Sequence, residues 1–258
     1  MPATAAAIAA QLGSTARRFD IDVLPSCDST NAVLLARAEA GAPSGTVVVA
    51  EEQTAGRGRR GRSWFASPGD SLTFSLLWRF APGTAPAGLS LAVGVAVARA
   101  LAGVGAGEAA LKWPNDILRD GRKLGGILVE LVPGTPHAAV IGIGINLQLP
   151  AGMPAEVRAA SAALCTANQP ADPNQLYAAL LKELLATLET FAAGGFAAIR
   201  AEWMERHAYQ DVAVSLSSDF DAPRAGICRG VDADGALLLE TDGRIERVLS
   251  GEVSLRPA

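Results

Sequence analysis

Histidine and cysteine are scarce in this chain of 258 residues, with two of the first and three of the second. Cys27, Cys165 and Cys228 lie far apart and form no Cys-x-x-Cys pair, which argues against a disulfide scaffold or a Cys/His zinc site and points to reduced intracellular thiols. A basic excess is missing as well. The net charge is −4, opposite to the balance of a protein that neutralises many nucleic-acid phosphates. No run qualifies as a membrane span, since the least charged stretch, Ala81 to Gly107, contains Arg99 and several Pro, Gly and Ser residues. The apolar N-terminus lacks the basic start of a secretory signal, because Arg17 and Arg18 follow the apolar run; a short amphipathic helix is expected there. Walker A, HExxH and GxSxG strings are absent.

What is present is enough apolar material for a large core. Half the residues are hydrophobic and 19% are charged, so disorder is excluded for most of the chain, and a soluble cytoplasmic protein is expected. Strands are predicted over 46–50, 72–78, 110–113, 117–119, 123–131 and 138–147, with an Asp120-Gly121 hairpin turn. A buried helix is predicted over 89–101. Asp172-Pro173 offers a cap and first position for a second over 174–191, with the stripe Leu176, Leu180, Leu184, Leu188 and Phe191. A further helix is expected over 196–207. From about residue 211, short alternating segments separated by Asp234-Gly235 and Asp242-Gly243 read as a small β module, too short for a core of its own. The order of elements predicts an α+β fold: a mixed sheet with packed helices over 1–209, then a small β-barrel over 210–258.

Five segments carry chemistry. Gly56–Trp64 interleaves Arg57, Arg59, Arg60 and Arg62 with Gly56, Gly58 and Gly61. Arginine supplies permanent, planar donors for phosphate or carboxylate, and glycine permits close backbone approach, so an anion-binding loop is expected. The string satisfies GxGxxG, but the following SWFASPGD is a poor helix start, so the dinucleotide-binding context fails. Lys112–Asp116 (KWPND) places Asn115 and Asp116 in a turn beside Trp113, a flat apolar surface; read alone, it is equally a strand that ends. Lys123 stands next to Gly125-Gly126, able to project into a site or to be an ordinary hairpin cation. Gly142–Asn146 (GIGIN) suggests a strand whose glycines lie under a ligand and which ends in Asn146. Ser29-Thr30-Asn31 precedes an Ala/Leu helix, which these residues either cap or leave for a ligand.

In this order, STN, EEQTAGRGRRGRSW, KWPNDI, KLGGILVE and GIGIN, followed by a small β module, the chain resembles the biotin protein ligases. The resemblance runs from about Cys27 to the C-terminus. It implies synthesis of biotinyl-5′-AMP from biotin and ATP with magnesium, then transfer of biotin to a lysine of a biotin carboxyl carrier domain. It also implies roles. Arg57, Gly58 and Arg59, with Gly56, line the biotin and adenylate site, and Lys123 stands by the biotin carboxylate and α-phosphate. Ser29, Thr30, Asn31 and Gln53 meet the ureido ring, Gly125 and Gly126 face the ligand, and Trp64 packs against the loop. Lys112, Asn115, Asp116 and Asn146 lie near nucleotide and metal, with Asp116 a candidate to orient or deprotonate the carrier lysine. No dedicated protein cage for a metal is expected.

The C-terminal module, with Gly251-Glu252-Val253, is similar to the family's SH3-like domain. About 26 residues precede the STN segment, too few for the helix-turn-helix domain of some relatives, so no DNA binding is expected; the state is monomer or homodimer. The rivals are a lipoate or octanoate protein ligase of the same architecture, and a nucleic-acid-binding module using Arg57–Arg62.

Overall fold

The computed structural model describes residues 2–150, 152–165, 172–218, 222–249 and 253–257; Gly251 and Glu252 lie outside them. In chain order the elements are α1 (Ala5–Leu12), β1 (Asp20–Cys27), α2 (Thr30–Glu39), β2 (Thr46–Gln53), β3 (Ser71–Arg79), α3 (Leu89–Gly103) and β4 (Ala110–Lys112). There follow β5 (Asp116–Arg119), β6 (Arg122–Val132), β7 (Thr135–Asn146), α4 (Ala155–Ala159), α5 (Pro173–Gly194) and α6 (Arg200–Glu205). The chain ends in β8 (Ala213–Ser218), β9 (Arg224–Val231), β10 (Leu237–Thr241), β11 (Arg244–Val248) and β12 (Val253–Pro257).

Seven strands form one sheet in the order β1-β2-β3-β7-β6-β5-β4. Only β1–β2 is parallel, so the sheet is mixed, as expected. The β-branched run Val47–Val49 and the apolar Leu72–Leu77 are buried because they occupy its interior. Their alternation sends side chains both ways. Val47, Val49, Phe74 and Leu76 join α1, α3 and α5 on one face, while Val48, Leu77 and Val140 meet Leu34 and Ala38 of α2 on the other. Helix α3 buries Leu89, Leu91, Val93, Val95, Val97 and Leu101, each contributing roughly 2 kcal/mol. Asp172 caps α5 by accepting from the Asn174 N–H at 3.0 Å, with Pro173 in the first turn. The Asp120-Gly121 hairpin forms with both residues at positive φ, 51° and 71°.

Three expectations need amending. β1 was not foreseen, since its half-exposed residues and Pro25 carry no strand signal, yet a sheet edge tolerates both. The helix expected over 196–207 is a 3₁₀ turn followed by the shorter α6, with Ile199 between them. Trp113 offers no open surface. It is fully buried, and its Nε1 donates to the Gly235 carbonyl at 3.1 Å, so it docks the second β module.

That module is a five-stranded antiparallel sheet, β11-β10-β9-β8-β12. Arg200 Nε donates to Val231 O at 2.7 Å, and a Cβ on Gly235 would fall 2.8 Å from Gly88 Cα, so the module packs closely against α6 and the start of α3. Among the described residues no helix is long and apolar enough to cross a membrane.

Candidate active site

A cavity of about 780 Å³ opens over the sheet on the side of α2 and the 54–65 loop. It gathers Ser29, Thr30, Asn31, Gln53, Arg57, Gly58, Arg59, Trp64, Lys112, Asn115, Asp116, Lys123, Gly126 and Asn146, segments up to 117 residues apart in the chain. Two candidates lie off it. Gly56 closes the base of the loop, where a Cβ would meet the Trp64 carbonyl at 2.5 Å. Gly125 faces the core, where a Cβ would meet Gly144 O at 2.6 Å and the Ile117 and Ile145 side chains.

One end of the cavity is neutral and buried. Ser29 occupies the cap position of α2 but makes no side-chain capping bond, so its hydroxyl is left over. Thr30 N–H donates to Gln53 Oε1 at 2.8 Å. Ser75 Oγ lies 2.7 Å from Thr30 Oγ1 and 2.5 Å from Asn31 Oδ1. Asn31 Nδ2 donates to Glu130 Oε2 at 2.6 Å and to the Leu128 carbonyl at 3.2 Å. The Asn31 amide lies flat on β7, and a Cβ on Gly142 would land on its Oδ1. Gly144 is likewise covered, a Cβ there falling 2.5 Å from the Trp64 indole. The glycines of the GIGIN strand therefore make room first for two of the protein's own side chains. Trp64 Nε1 is buried with no hydrogen-bond partner among the described residues, a donor left for another acceptor.

The other end is cationic. The loop is a tight hairpin: Trp64 N–H donates to Gly56 O at 2.9 Å and Gly58 N–H to Arg62 O at 2.7 Å. Arg60 and Gly61 take positive φ, 59° and 64°, and no helix follows, in keeping with the failed dinucleotide context. Arg59 Nη1 reaches Asn115 Oδ1 at 3.5 Å, while Asn115 Nδ2 donates to Ile127 O at 2.8 Å, tying the KWPND turn to β6. Lys123 Nζ sits 2.5 Å from Asp116 Oδ1 and 5.9 Å from the Trp64 ring centroid; Lys112 Nζ sits 3.2 Å from Asp116 Oδ2. Burial pushes the Asp116 carboxyl up, but the two lysines outweigh it and hold the group below its ordinary value. The Lys123 backbone is pinned on both sides: its N–H donates to Ala160 O at 2.9 Å and its carbonyl accepts from Ala162 N–H at 2.8 Å. Asn146 braces the same segment, Nδ2 donating to Ala162 O at 3.1 Å.

Several lining residues were not singled out from the sequence. Met153, Glu156, Val157, Ala160 and Ser161 form the rim after β7, where no motif stands out because ordinary residues supply the wall. Tyr209 and Arg256 come from the far end of the chain, and Arg256 from the second sheet. Ser75 and Glu130 lie behind the wall, and nothing in their local sequence marks them.

The biotin/lipoate A/B protein ligase family model matches residues 23–146, and the biotin protein ligase C-terminal domain model matches residues 225–256. The bifunctional ligase/repressor BirA of Escherichia coli K12 is 44% identical over 241 residues, covering 92% of this chain and 74% of that one. The biotin–[acetyl-CoA-carboxylase] ligase of Mycobacterium tuberculosis is 36% identical over 240 residues, covering 90% and 88%. The biotin protein ligase from Aquifex aeolicus, solved in complex with biotin and ATP, has a TM-score of 0.80 at 29% identity, covering 93% of this chain and 99% of that one. Fold and site thus define a class, the biotin- and lipoate-type protein ligases. Within that class, the chain belongs to the biotin protein ligase family.

Proposed function

We propose that the protein joins biotin to ATP, giving biotinyl-5′-AMP and pyrophosphate, and then passes biotin to a lysine of the carboxyl carrier of acetyl-CoA carboxylase, in the cytoplasm. The observation that carries this reading is the division of one cavity into a neutral, buried end and a cationic end. A cyclic urea needs fixed donors and acceptors without charge, which Ser29, Thr30 and Gln53 supply. The carboxylate lies toward Lys123 and the arginine loop.

There its oxygen attacks the α-phosphorus of ATP, the α–β bridging bond breaks, and pyrophosphate leaves. Two anions must meet for this, and Arg57, Arg59, Lys112 and Lys123 lower their repulsion and stabilise charge at the transferring centre. Magnesium enters with ATP as part of that substrate. No group of three or more His, Cys, Asp or Glu among the described residues is placed to hold an ion, and both Asp116 oxygens are taken by lysines. In the second step the carrier amine attacks the acyl carbon and AMP leaves with the electron pair of the broken anhydride bond. Asp116, held ionised by Lys112 and Lys123, is too weak a base to deprotonate that amine, whose proton is lost to solvent.

The test is exchange of labelled pyrophosphate into ATP with biotin, lipoate or octanoate supplied. Exchange with biotin alone is expected. Exchange with lipoate or octanoate alone would move the protein to the sister ligases, and none with any acid would overturn the reading.

A further inference from the structure

We propose that Ser75 and Glu130, neither of which lines the cavity, set its acid specificity by fixing the direction of one hydrogen-bond relay. The proposal rests on the biotin reading and deepens it. The relay runs Glu130, Asn31, Ser75, Thr30, Gln53, across β6, α2, β3 and β2.

Its polarity follows from which atoms can donate. Glu130 Oε2 and the Leu128 carbonyl are acceptors, and both lie against the same end of the Asn31 amide, at 2.6 and 3.2 Å. That end is therefore the NH₂, and Oδ1 must point at Ser75. Oδ1 cannot donate, so the one hydroxyl proton of Ser75 goes to it across 2.5 Å. Ser75 Oγ then has no proton for Thr30. The Thr30 hydroxyl has two acceptors in reach, Ser75 Oγ at 2.7 Å and Gln53 Oε1 at 3.2 Å, and its one proton goes to the nearer. Gln53 Oε1 keeps the Thr30 N–H at 2.8 Å. The outcome at the cavity wall is fixed: Thr30 Oγ1 presents lone pairs only, and Gln53 presents its NH₂. Thr30, Asn31 and Ser75 are at most 4% exposed, so water cannot exchange these roles at low cost. A wall of this polarity accepts a ring N–H and rejects a ring oxygen at the same place.

Ser75 and Glu130 are thus positioning residues, and their signature is a ratio that a packing role would not move. The experiment compares biotin with its two cyclic carbamate analogues, each with one ureido N–H replaced by oxygen, in pyrophosphate exchange. The wild type is expected to discriminate against at least one analogue by about a hundredfold in kcat/KM. In Ser75→Ala the Thr30 hydroxyl loses its nearer acceptor and keeps only the longer 3.2 Å contact to Gln53 Oε1, so it can turn and donate into the cavity, and the ratio should fall to under about tenfold. Glu130→Gln, whose end group matches either orientation of Asn31, should lower it by a smaller factor and serves if Ser75→Ala does not fold. The double variant should discriminate no less than the weaker single, since one relay is broken once. A ratio unchanged in the folded variants, or additive losses in the double, overturns the relay. Wild-type protein that fails to exchange with biotin overturns the functional reading instead.

Discussion

The two ends of the cavity solve opposite problems. At the neutral end, Asn31, Ser75 and Thr30 are sealed from water and every contact is an ordered hydrogen bond between neutral groups or to one carboxylate. At the cationic end, the Lys123 side chain is 37% exposed and the cations come from a hairpin loop, β4, β6 and the second sheet. A neutral ring is recognised by leaving no polar partner unpaired for the wrong ligand, which requires burial. Anion transfer requires positive charge, which acts over several ångströms and tolerates partial exposure. The difference teaches that damage at one end should change which acid is used, and at the other how fast.

Lys123→Ala is the strongest way to break that division. Pyrophosphate exchange should fall about a thousandfold, the scale of one lost charge stabiliser, while biotin affinity without ATP, measured by calorimetry, falls less than about tenfold. Equal losses in both would mean the ends are not separable. Acid is the next probe, because it strikes neither end first. His207 is buried, stacked on Trp203 at 4.5 Å, with Nδ1 unpaired among the described residues; burial pushes its pKa down from 6.5 to about 4. The unfolded chain therefore takes up a proton the native one refuses. The stability this neutral imidazole contributes is full above about pH 6.5 and is lost as pH falls to about 4, on the order of 3 kcal/mol. Urea unfolding at pH 7 and pH 4.5 should show this slope, and His207→Phe should flatten it. Asp116, held below its ordinary value, keeps its ion pairs across that window.

How much of this was legible follows the same division. The arginine-glycine loop, Lys123 and KWPND stand out because charge and turn residues cluster in sequence wherever a backbone must bend around an anion. The apolar strands and α3 were equally plain from their composition. The neutral end was half visible. Ser29-Thr30-Asn31 looked like an ordinary cap, and only the fold shows that Ser29 does not cap and that Asn31 points its amide into the sheet. Ser75 sits in β3 among other small polar residues, Ser71 and Thr73, and Glu130 in the longer β6, so their convergence on Asn31 depends on the register of β3, β7 and β6, which no local pattern encodes. β1 was missed because edge strands are not required to be apolar.

Arg59→Gly sharpens the account of the charged end. Arg59 joins the loop to Asn115, and in the proposed reading it adds a cation beside the adenylate. Its loss should speed escape of biotinyl-AMP by a few tens of fold, about 2 kcal/mol for a charge-assisted contact. Released intermediate would then label bystander lysines, read by blotting a mixture of carrier and an unrelated protein. Unchanged selectivity would remove Arg59 from the retaining group.

The smallest effect tests where the charged end stops. Arg256 reaches the cavity from β12, on a different sheet from every other cation there, and its side chain is exposed. An exposed arginine facing phosphate adds attraction without organising the reacting atoms, so Arg256→Ala should raise KM for ATP about fivefold, near 1 kcal/mol, and leave KM for biotin alone. Because the interaction is screened, the gap between variant and wild type should narrow as salt rises from 50 to about 500 mM, where the Debye length drops to roughly 4 Å. A salt-independent defect would instead mean that the substitution disturbs the docking of the second sheet through Trp113 and Gly235. In that case the module shapes the cavity by packing, and the charged end belongs to the first sheet and its loop.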